Sequence, residues 1–231
     1  MIKHYINGVK KLILVASGKG GVGKSTMAIA ISEMLQNKGH KVGIVDADIY
    51  GPSIPTMLGI NEKPELEDTK FLPITHRGFQ IMSIGFLVPE EGPVAWRGPM
   101  ATKAIYQLFS ATKWSDLDYL VVDMPPGTGD IHLSILENYN IDGVYMVTTP
   151  QAVSLQDVER AINLYQKFGI EINGIIENMV SEFFPGNSGE VLSKKYSIPV
   201  LAKIPLTASM SHNLDNGLPI ATLINNFGGV D

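Results

Sequence analysis

The segment Gly18–Ser25, which reads GKGGVGKS, constrains the fold of this chain more than any other feature. It fits the pattern G-x-x-x-x-G-K-[ST], whose glycines let successive backbone N–H groups turn around phosphate oxygens. The apolar run Lys11–Ala16 precedes it, and Ser25–Lys38 follows with helical spacing and stops at Gly39. A strand, a glycine-rich turn and a helix in this order predict a phosphate-binding loop in an α/β protein.

The rest of the chain alternates short apolar runs with helical stretches. Further strands are predicted at Lys41–Val45, Tyr119–Val122, Gly143–Val147, Ile172–Ile176 and Val200–Ile204, and helices at Pro99–Thr112, Ser154–Phe168 and Gly189–Tyr196. The region between residues 61 and 84 predicts a polar loop, Asn61–Asp68, and a hairpin of Phe71–Ile74 with Phe79–Ile84. This alternation favours a mostly parallel, twisted sheet with helices on both faces. Without repeats or linkers, residues 1–231 are predicted to form one P-loop NTPase domain.

Composition excludes several other classes of protein. The formal net charge of −5 gives no basic surface of the kind that nucleic acids or anionic membranes attract. The chain has no cysteine, which excludes disulfides, thiolate zinc sites and an iron–sulfur cluster held by this chain's own cysteines. The histidines are scattered without ligand spacing and are expected to be ordinary surface or helix-cap residues; they are His4, His40, His76, His132 and His212.

Two absences predict the location. No run reaches the ~18–20 apolar residues of a membrane span. The N-terminus has neither the apolar region nor the small-residue cleavage site of a signal peptide. The expected location is therefore the cytoplasm, with no membrane partner.

The phosphate loop supplies the first candidate site residues. Lys24 is predicted to contact the β- and γ-phosphates, and the Ser25 hydroxyl to bind Mg²⁺. Lys19 has no steric reason to lie inside this loop, so it is either a solvated charge or a cation that reaches the phosphate of a neighbouring subunit. The residues predicted to surround the phosphates are Gly18, Lys19, Gly20, Gly21, Val22, Gly23, Lys24, Ser25 and Thr26.

Acidic residues close two of the predicted strands. Asp123 opens the segment Asp123–Asp130, DMPPGTGD, and is the expected Mg²⁺-holding carboxylate. Gly127 in this turn allows backbone to approach a γ-phosphate, so the turn can respond to its presence. Of Asp46 and Asp48, which end the second strand, Asp48 is predicted to contact Mg²⁺ and to position the attacking water.

Together these motifs resemble the deviant Walker A, or SIMIBI, ATPases, which include MinD, ParA and nitrogenase iron protein. A closer resemblance is to the Mrp family of iron–sulfur cluster carrier ATPases, the ApbC-type proteins. It runs from about Gly8 to the C-terminus and rests on GKGGVGKST, DADIYGPSIP, WRGPM at Trp96–Met100, DMPPGTGD and IENM at Ile176–Met179.

The resemblance implies a homodimer with two ATP molecules at its interface. It makes Lys19 the intersubunit lysine, and Asp48 and Asp123 the carboxylates of switches I and II. Asn178 matches the residue that reads the adenine edge, and Pro205 lies in the segment that packs on the base. The role proposed for the family is to assemble iron–sulfur clusters or deliver them to apoproteins under the control of ATP.

The sequence departs from the family pattern in two places. Family members often carry an N-terminal extension domain, whereas this chain starts a few residues before its first strand. They usually carry C-x-x-C after the Asn-Met, whereas Val180–Gly189 reads VSEFFPGNSG. ATP and Mg²⁺ binding survive this departure. Cluster binding would need thiolates from a Cys-bearing partner or scaffold, because Asp and His are unusual ligands for such soft-metal chemistry.

Two alternative functions stay open at this point. A MinD- or ParA-like positioning switch would need a basic amphipathic end or a basic face, but Ala221–Asp231 contains no Lys or Arg. A nucleotide-binding module without turnover is disfavoured because both lysines and Asp48 are present. Trp96–Met100 is either a partner surface or a packed aromatic segment, and Phe183-Phe184 either an exposed tip at the dimer edge or part of the packing.

Overall fold

The structure is a computed structural model that describes residues 3–87, 98–152, 155–183 and 185–224. The strands are β1 (Val9–Ser17), β2 (Val42–Asp46), β3 (Leu66–Glu67), β4 (Lys70–Phe71), β5 (Ile74–His76), β6 (Phe79–Ser83), β7 (Leu117–Asp123), β8 (Gly143–Thr148), β9 (Ile172–Val180) and β10 (Val200–Pro205). The helices are α1 (Lys24–Asn37), α2 (Ile54–Met57), α3 (Gly98–Phe109), α4 (Asp130–Asn138), α5 (Leu155–Lys167), α6 (Ser188–Tyr196) and α7 (Ala208–Asp215).

Eight strands form one sheet in the order β10-β9-β8-β1-β7-β2-β6-β5. Every neighbouring pair is parallel except β5 and β6 at one edge, which form an antiparallel hairpin. β3 and β4 make a separate small hairpin. The predicted α/β fold with a mostly parallel sheet is confirmed.

The core lies on both faces of this sheet. Along β1, Leu14 and Ala16 join the apolar cluster that includes α3, α4 and α5, whereas Ile13 and Val15 join the cluster that includes α1. Successive side chains of a strand point to opposite faces, so a strand covered on both sides reads as a continuous apolar run. That is why the run preceding the glycine-rich loop could be identified from sequence.

The predicted elements differ from the structure in a few places. The hairpin turns at Arg77-Gly78, but Ile74–His76 forms its first strand, because Phe71 pairs with Leu66 instead. β9 continues to Val180, past its predicted end at Ile176. Helices α2, α4 and α7 were not predicted, and strand β3 lies inside the predicted loop Asn61–Asp68. α7 has no fully buried residue, and its contact with the core is limited to the partly buried Met210 and Leu214.

Some predictions fall outside the described residues. They concern Trp96 and Arg97, the start of the helix at Ser154, Phe184, and the end of the chain after Ile224.

The register of the three central strands brings their last residues together. Asp123 at the end of β7 is aligned with Val15 of β1 on one side and with Asp46 of β2 on the other. β1 ends at Ser17, where the glycine-rich loop begins. The carboxyl edge of the sheet therefore collects the loop and the acidic strand ends, which is where open parallel sheets bind ligands.

Candidate functional site

The glycine-rich loop owes its shape to particular glycines. Gly21 and Gly23 have φ of 76° and 80°, in the left-handed region that side chains other than glycine rarely adopt. Gly18 is required for close packing instead, since a Cβ there would lie 2.3 Å from the backbone of Asp157 and Val158 on α5. Gly21 and Gly23 therefore allow the loop to turn sharply, and Gly18 allows it to pack directly against the backbone of α5.

Lys24 forms a buried ion pair at the base of the loop. Its Nζ lies 2.5 Å from Oδ1 of Asp123 and 3.6 Å from Oδ2 of Asp48. The Lys24 side chain is 6% exposed, Asp48 13% and Asp123 fully buried. Three residues predicted from separate motifs are therefore brought together around one ammonium group.

The carboxylate of Asp123 is fully buried, and its contacts with Lys24 and Ser25 do not fully offset the cost of burying its charge. Burial raises the pKa of its carboxyl above the ordinary value, the nearby Asp48 adds to this, and Lys24 and the Ser25 hydroxyl oppose it. Its second oxygen, Oδ2, has no hydrogen bond of normal geometry to any described residue. A cation beside this oxygen would relieve the cost of burying the charge.

Ser25, Asp48 and Asp123 are oxygen donors of the kind that Mg²⁺ prefers, and they fit such an ion. Mg²⁺ usually takes one or two carboxylates and completes its shell with water and substrate phosphates. Within the described ranges, no His, Asp and Glu side chains cluster densely enough to hold a metal ion on their own. The arrangement therefore suits a metal that arrives with a phosphate ligand.

The two aspartates at the end of β2 have different surroundings. Asp46 is fully buried; its Oδ1 accepts the backbone N–H of Asp48 at 3.2 Å, and its Oδ2 accepts that of Ile54 at 3.1 Å. The Ser83 hydroxyl donates to the same Oδ2 at 3.2 Å. Asp46 thereby joins the two ends of the segment Asp46–Ile54, the switch I segment, and leaves Asp48 facing the loop.

The pKa of Asp46 reflects this burial. Burial raises it to about 7, with a further contribution from the negative charge of Asp123. The backbone N–H groups of Ile54 and Asp48 act in the opposite direction. Sequence reasoning considered both aspartates for the site, and the positioning bonds of Asp46 were not foreseen.

A pocket of about 320 Å³ lies over the glycine-rich loop. It falls within the usual range of small-ligand pockets, roughly 300–1,000 Å³. Its lining includes Lys19, Lys24, Ser25, Thr26, Asp48 and Pro126. Pro126 belongs to the switch II turn, Asp123–Asp130, in which the Gly127 N–H donates to the Ser17 carbonyl at 3.2 Å. The pocket is therefore bounded by the loop and by both predicted switch segments.

Asn178 and Pro205, the residues expected near a base, lie at the ends of β9 and β10. The Asn178 Nδ2 donates to the carbonyl of Val22 at 2.9 Å, a contact that sequence reasoning missed. A Cβ on Gly23 would lie 2.2 Å from the same Nδ2. Asn178 thus supports the phosphate loop through its amide nitrogen. Pro205 pairs with Val180.

His132 was expected to be an ordinary surface or cap histidine, and this expectation is wrong. It lies on α4 and is fully buried, and neither ring nitrogen has a hydrogen-bond partner among the described residues. Burial, together with the smaller effect of the Lys24 positive charge, lowers its pKa to about 4. Its position just after the DMPPGTGD turn was the signal that could have singled it out.

The sheet, the glycine-rich loop and the buried lysine define a P-loop nucleoside triphosphatase. Residues 8–227 match the family described as ParA, NUBPL iron-transfer P-loop NTPase. The chain belongs to this family, and the resemblance drawn from its motifs is confirmed. No helix within the described part of the chain is long and apolar enough to cross a membrane.

Curated relatives agree with this assignment. The iron-sulfur cluster carrier protein of Rickettsia felis is 57% identical over 222 residues, which cover 96% of this chain and 70% of the relative. That of Escherichia coli K12 is 46% identical over 226 residues, covering 93% of this chain and 61% of the relative. The chain therefore spans only part of the length of these relatives.

Solved structures share the fold. One is the nucleotide-binding protein of Archaeoglobus fulgidus, solved in complex with ADP and found to contain cobalt. It is 32% identical and superposes with a TM-score of 0.79, covering 91% of this chain and 88% of that one. The septum site-determining protein MinD of Pyrococcus horikoshii, complexed with Mg-ADP, is 23% identical with a TM-score of 0.66, covering 93% and 88%. The latter likeness concerns the fold alone.

Proposed function

We propose that this chain binds Mg-ATP, hydrolyses it slowly, and uses the cycle in the assembly or transfer of iron–sulfur clusters to apoproteins. The observation that carries the proposal is the Lys24 ammonium between Asp123 and Asp48 at the base of the phosphate loop. The names of the curated relatives support the cluster-related role.

The phosphates would be bound mainly by backbone. Most of the loop Gly18–Thr26 lines the pocket, so its backbone N–H groups would bind phosphate oxygens, and the N-terminus of α1, which begins at Lys24, would add its dipole. Anionic phosphates would compete with Asp123 for the Lys24 ammonium. Binding therefore exchanges an internal ion pair for contacts with the β- and γ-phosphates.

Ser25, Asp48 and Asp123 would hold Mg²⁺, which supplies charge neutralisation on the transferring phosphoryl group. Of the two carboxylates, Asp48 is the partly accessible one, so we assign it the orientation of the attacking water. The water oxygen bonds to the γ-phosphorus as the bond to the bridging oxygen breaks. The products are ADP and phosphate, and the water proton leaves on phosphate or to solvent.

The homodimer is part of the same proposal. Lys19 is half-buried and lines the phosphate pocket, and it also lines a second cavity of about 190 Å³ with Gln151 and Met179. Because Lys24 already serves its own loop, Lys19 would reach the nucleotide of a second copy and stabilise charge there. Asn178 and Pro205 would contact the adenine, with the Asn178 Oδ1 accepting from its amino group.

The cluster itself would be cargo, with cysteine thiolates supplied by a Cys-bearing scaffold or client. No cysteine is present in the chain. The exposed Phe183, 79% accessible, lies in the segment where related proteins usually carry C-x-x-C. A MinD- or ParA-like positioning role is disfavoured by the acidic balance of the chain, whose net charge is −5.

The nucleotide part is tested by phosphate release from the purified chain with Mg-ATP. We expect slow, steady release that Lys24→Ala abolishes and Asp48→Asn reduces strongly, because each removes a group that acts on the γ-phosphate. Lys194→Ala, at an exposed lysine on α6, is the matched control and should behave as the wild type. Release that survives Lys24→Ala would overturn this assignment.

The cluster part is tested by anaerobic reconstitution with iron and sulfide, followed by visible absorbance and bound iron. We expect no stoichiometric cluster on the chain alone while ATP hydrolysis persists. We further expect Mg-ATP to change the rate of transfer from a loaded Cys-bearing scaffold to an apoprotein. A transfer rate that is the same with and without the chain and Mg-ATP would sink the proposed role.

A further inference from the structure

The carboxylate of Glu33 on α1 binds groups from two distant parts of the chain. Glu33 is 4% exposed, and its Oε2 accepts the backbone N–H groups of Ile220 and Ala221 at 2.8 Å and 2.7 Å. Its Oε1 accepts a hydrogen bond from Nη2 of Arg77 at 2.7 Å. A buried carboxylate needs such partners, because an uncompensated charge in the interior is costly. Glu33 therefore joins α1 to the turn between β5 and β6 and to the last described part of the chain.

Ile220 and Ala221 belong to a segment that we call the C-terminal strap, residues 206–224. The strap leaves the sheet directly after β10, where the Leu206 N–H donates to the Val180 carbonyl at 3.1 Å. Its middle contains α7, which has no fully buried residue. The contacts at its two ends are therefore important for holding the strap in place.

Hydrogen bonds within the strap make its exposed middle one unit. The Thr207 hydroxyl oxygen accepts the N–H of Met210 and caps the start of α7. After the helix, the Leu218 N–H donates to the Asn213 carbonyl at 2.7 Å, and the Asn213 side chain donates to the Pro219 carbonyl at 2.7 Å. Because the unit is bonded internally, freeing its far end would leave the whole strap attached mainly at β10.

Arg77 makes a second contact with the far end of the strap. Its Nη1 donates to the Gly217 carbonyl at 3.4 Å, and its own carbonyl accepts Nε2 of Gln36 on α1 at 2.9 Å. A Cβ on Gly217 would lie 3.4 Å from the carbonyl oxygen of Leu58, the residue after α2. The far end of the strap is thus held against α1, the hairpin turn and the end of α2.

The strap connects the two parts of the proposed nucleotide site. It begins directly after Pro205, which is expected to contact the base, and it is fastened to the helix that begins at Lys24. Binding to a segment that is already ordered costs less conformational entropy than binding to a mobile one. A strap anchored at both ends would therefore present Pro205 to the base in a fixed position relative to the phosphate loop.

We propose that Glu33 is a positioning residue for the base of the nucleotide, which anchors the C-terminal strap to α1 and so keeps the segment around Pro205 ordered. The inference rests on the proposed ATP-binding function and deepens it. Glu33 touches neither the nucleotide nor the metal ligands in this scheme. Loss of the anchor should weaken the contacts with the base and leave those with the phosphates intact.

Calorimetric titration with Mg-ATP and with magnesium tripolyphosphate separates these two sets of contacts, because tripolyphosphate has no base. Glu33→Ala removes the acceptor of both strap N–H groups. It should raise the Kd for ATP about tenfold and that for tripolyphosphate by less than about twofold. Glu33→Gln keeps an acceptor oxygen for these N–H groups and should recover most of the ATP affinity.

A second pair of variants loosens the strap without removing a buried charge, which keeps the test decisive if Glu33→Ala folds poorly. Gly217→Ala strains the far end of the strap, where φ is 61°, and should weaken ATP binding in the same direction by a smaller factor. Gly39→Ala is the matched control, since Gly39 has φ of 90° and its added Cβ would meet no described atom within 4 Å. It should bind ATP as the wild type does.

Amide hydrogen exchange of the nucleotide-free proteins measures the order of the strap directly. Exchange in residues 206–219 should be faster in Glu33→Ala and Gly217→Ala than in the wild type. It should stay near the wild-type rate in Glu33→Gln and Gly39→Ala. Unchanged exchange in a folded Glu33→Ala variant would show that Glu33 does not anchor the strap.

The binding data distinguish a failure of this role from a failure of the proposed function. Equal losses of ATP and tripolyphosphate affinity, or an unchanged ATP affinity in folded Glu33→Ala, would overturn the positioning role. A wild type that binds ATP no more tightly than tripolyphosphate would refute the base contact on which the role depends. A wild type that binds ATP but releases no phosphate would refute the proposed hydrolysis, and the variants would still decide the role of Glu33, because they are compared by binding alone.

Discussion

The Lys24 ammonium lies 2.5 Å from Oδ1 of Asp123, and the two side chains are 6% and 0% exposed. This contact joins the phosphate loop to the end of β7. A buried charge that loses its partner is destabilising, whereas losing both charges together can be neutral. The pair is therefore both a binding element and a source of stability.

The first prediction concerns the energetics of this pair. Lys24→Met should lower the free energy of unfolding by about 3 kcal/mol, because Asp123 loses its cation. Adding Asp123→Asn should restore much of that stability while hydrolysis stays lost. Urea unfolding of the wild type, both single variants and the double variant measures the coupling free energy between the Lys24 and Asp123 side chains. Strictly additive costs would show that the two side chains do not act as a buried pair.

The second prediction concerns the bonds by which Asp46 closes the switch I segment. Asp46→Ala removes the acceptor for the N–H groups of Asp48 and Ile54 and should lower stability by about 1–3 kcal/mol. It should also reduce kcat, because Asp48 loses its anchor. Ser83→Ala removes one donor from the same carboxylate and should cost less on both measures. An Asp46→Ala variant with unchanged kcat and unfolding midpoint would contradict this role.

The third prediction concerns the packing of Gly18 against α5. Gly18→Ala introduces a Cβ 2.3 Å from the Asp157 backbone and should destabilise the protein by about 1–3 kcal/mol. Gly20→Ala is the matched control, since its Cβ would lie 3.9 Å from the Pro126 side chain. Thermal unfolding without nucleotide compares them. Equal midpoints for the two variants would mean that the loop can move away from α5 at little cost.

The fourth prediction concerns pH. The pKa of His132 falls from its ordinary 6.5 to about 4 in the folded protein. Below pH 6.5 the unfolded chain therefore takes up a proton that the folded state refuses. The resulting loss of stability begins near pH 6.5, grows to about 3 kcal/mol near pH 4, and is absent above that window.

Urea unfolding at pH 7 and pH 5 of wild type and His132→Gln isolates this contribution. The charged group that acts on the ring is Lys24, whose effect has the same sign as burial. Asp46, whose raised pKa gives the opposite slope, is present in both proteins and cancels. The variant should lose less stability on acidification, and equal losses would show that the ring is not buried in neutral form.

Much of this protein could be read from local sequence. The strand-loop-helix unit around Gly18–Ser25, the acidic ends of β2 and β7, and the mostly parallel sheet all follow from short-range patterns. Buried strands are continuous apolar runs, and the phosphate loop needs glycine at fixed spacing. The assigned roles of the individual site residues, and the extent of the domain over residues 1–231, stay predictions.

Contacts between distant segments could not be read in this way. The bond from Asn178 to Val22 joins residues 156 positions apart, and the Lys24–Asp123 pair joins residues 99 apart. The burial of His132 depends on α3 and α5 closing over α4, which its own nine-residue helix does not indicate.

The sequence by itself determined the chemistry available at the carboxyl edge of the sheet: a glycine-rich loop, a lysine, a serine and strand-terminal aspartates. Tertiary structure alone decided which of these groups are buried, which face the pocket and which hydrogen-bond partners each one has. It made Asp46 an internal acceptor and turned Asp48 to the pocket, and it buried the ring of His132 without a hydrogen-bond partner among the described residues. The reason is that burial and hydrogen-bond partners belong to the assembled sheet and helices, whereas residue type and spacing belong to the chain.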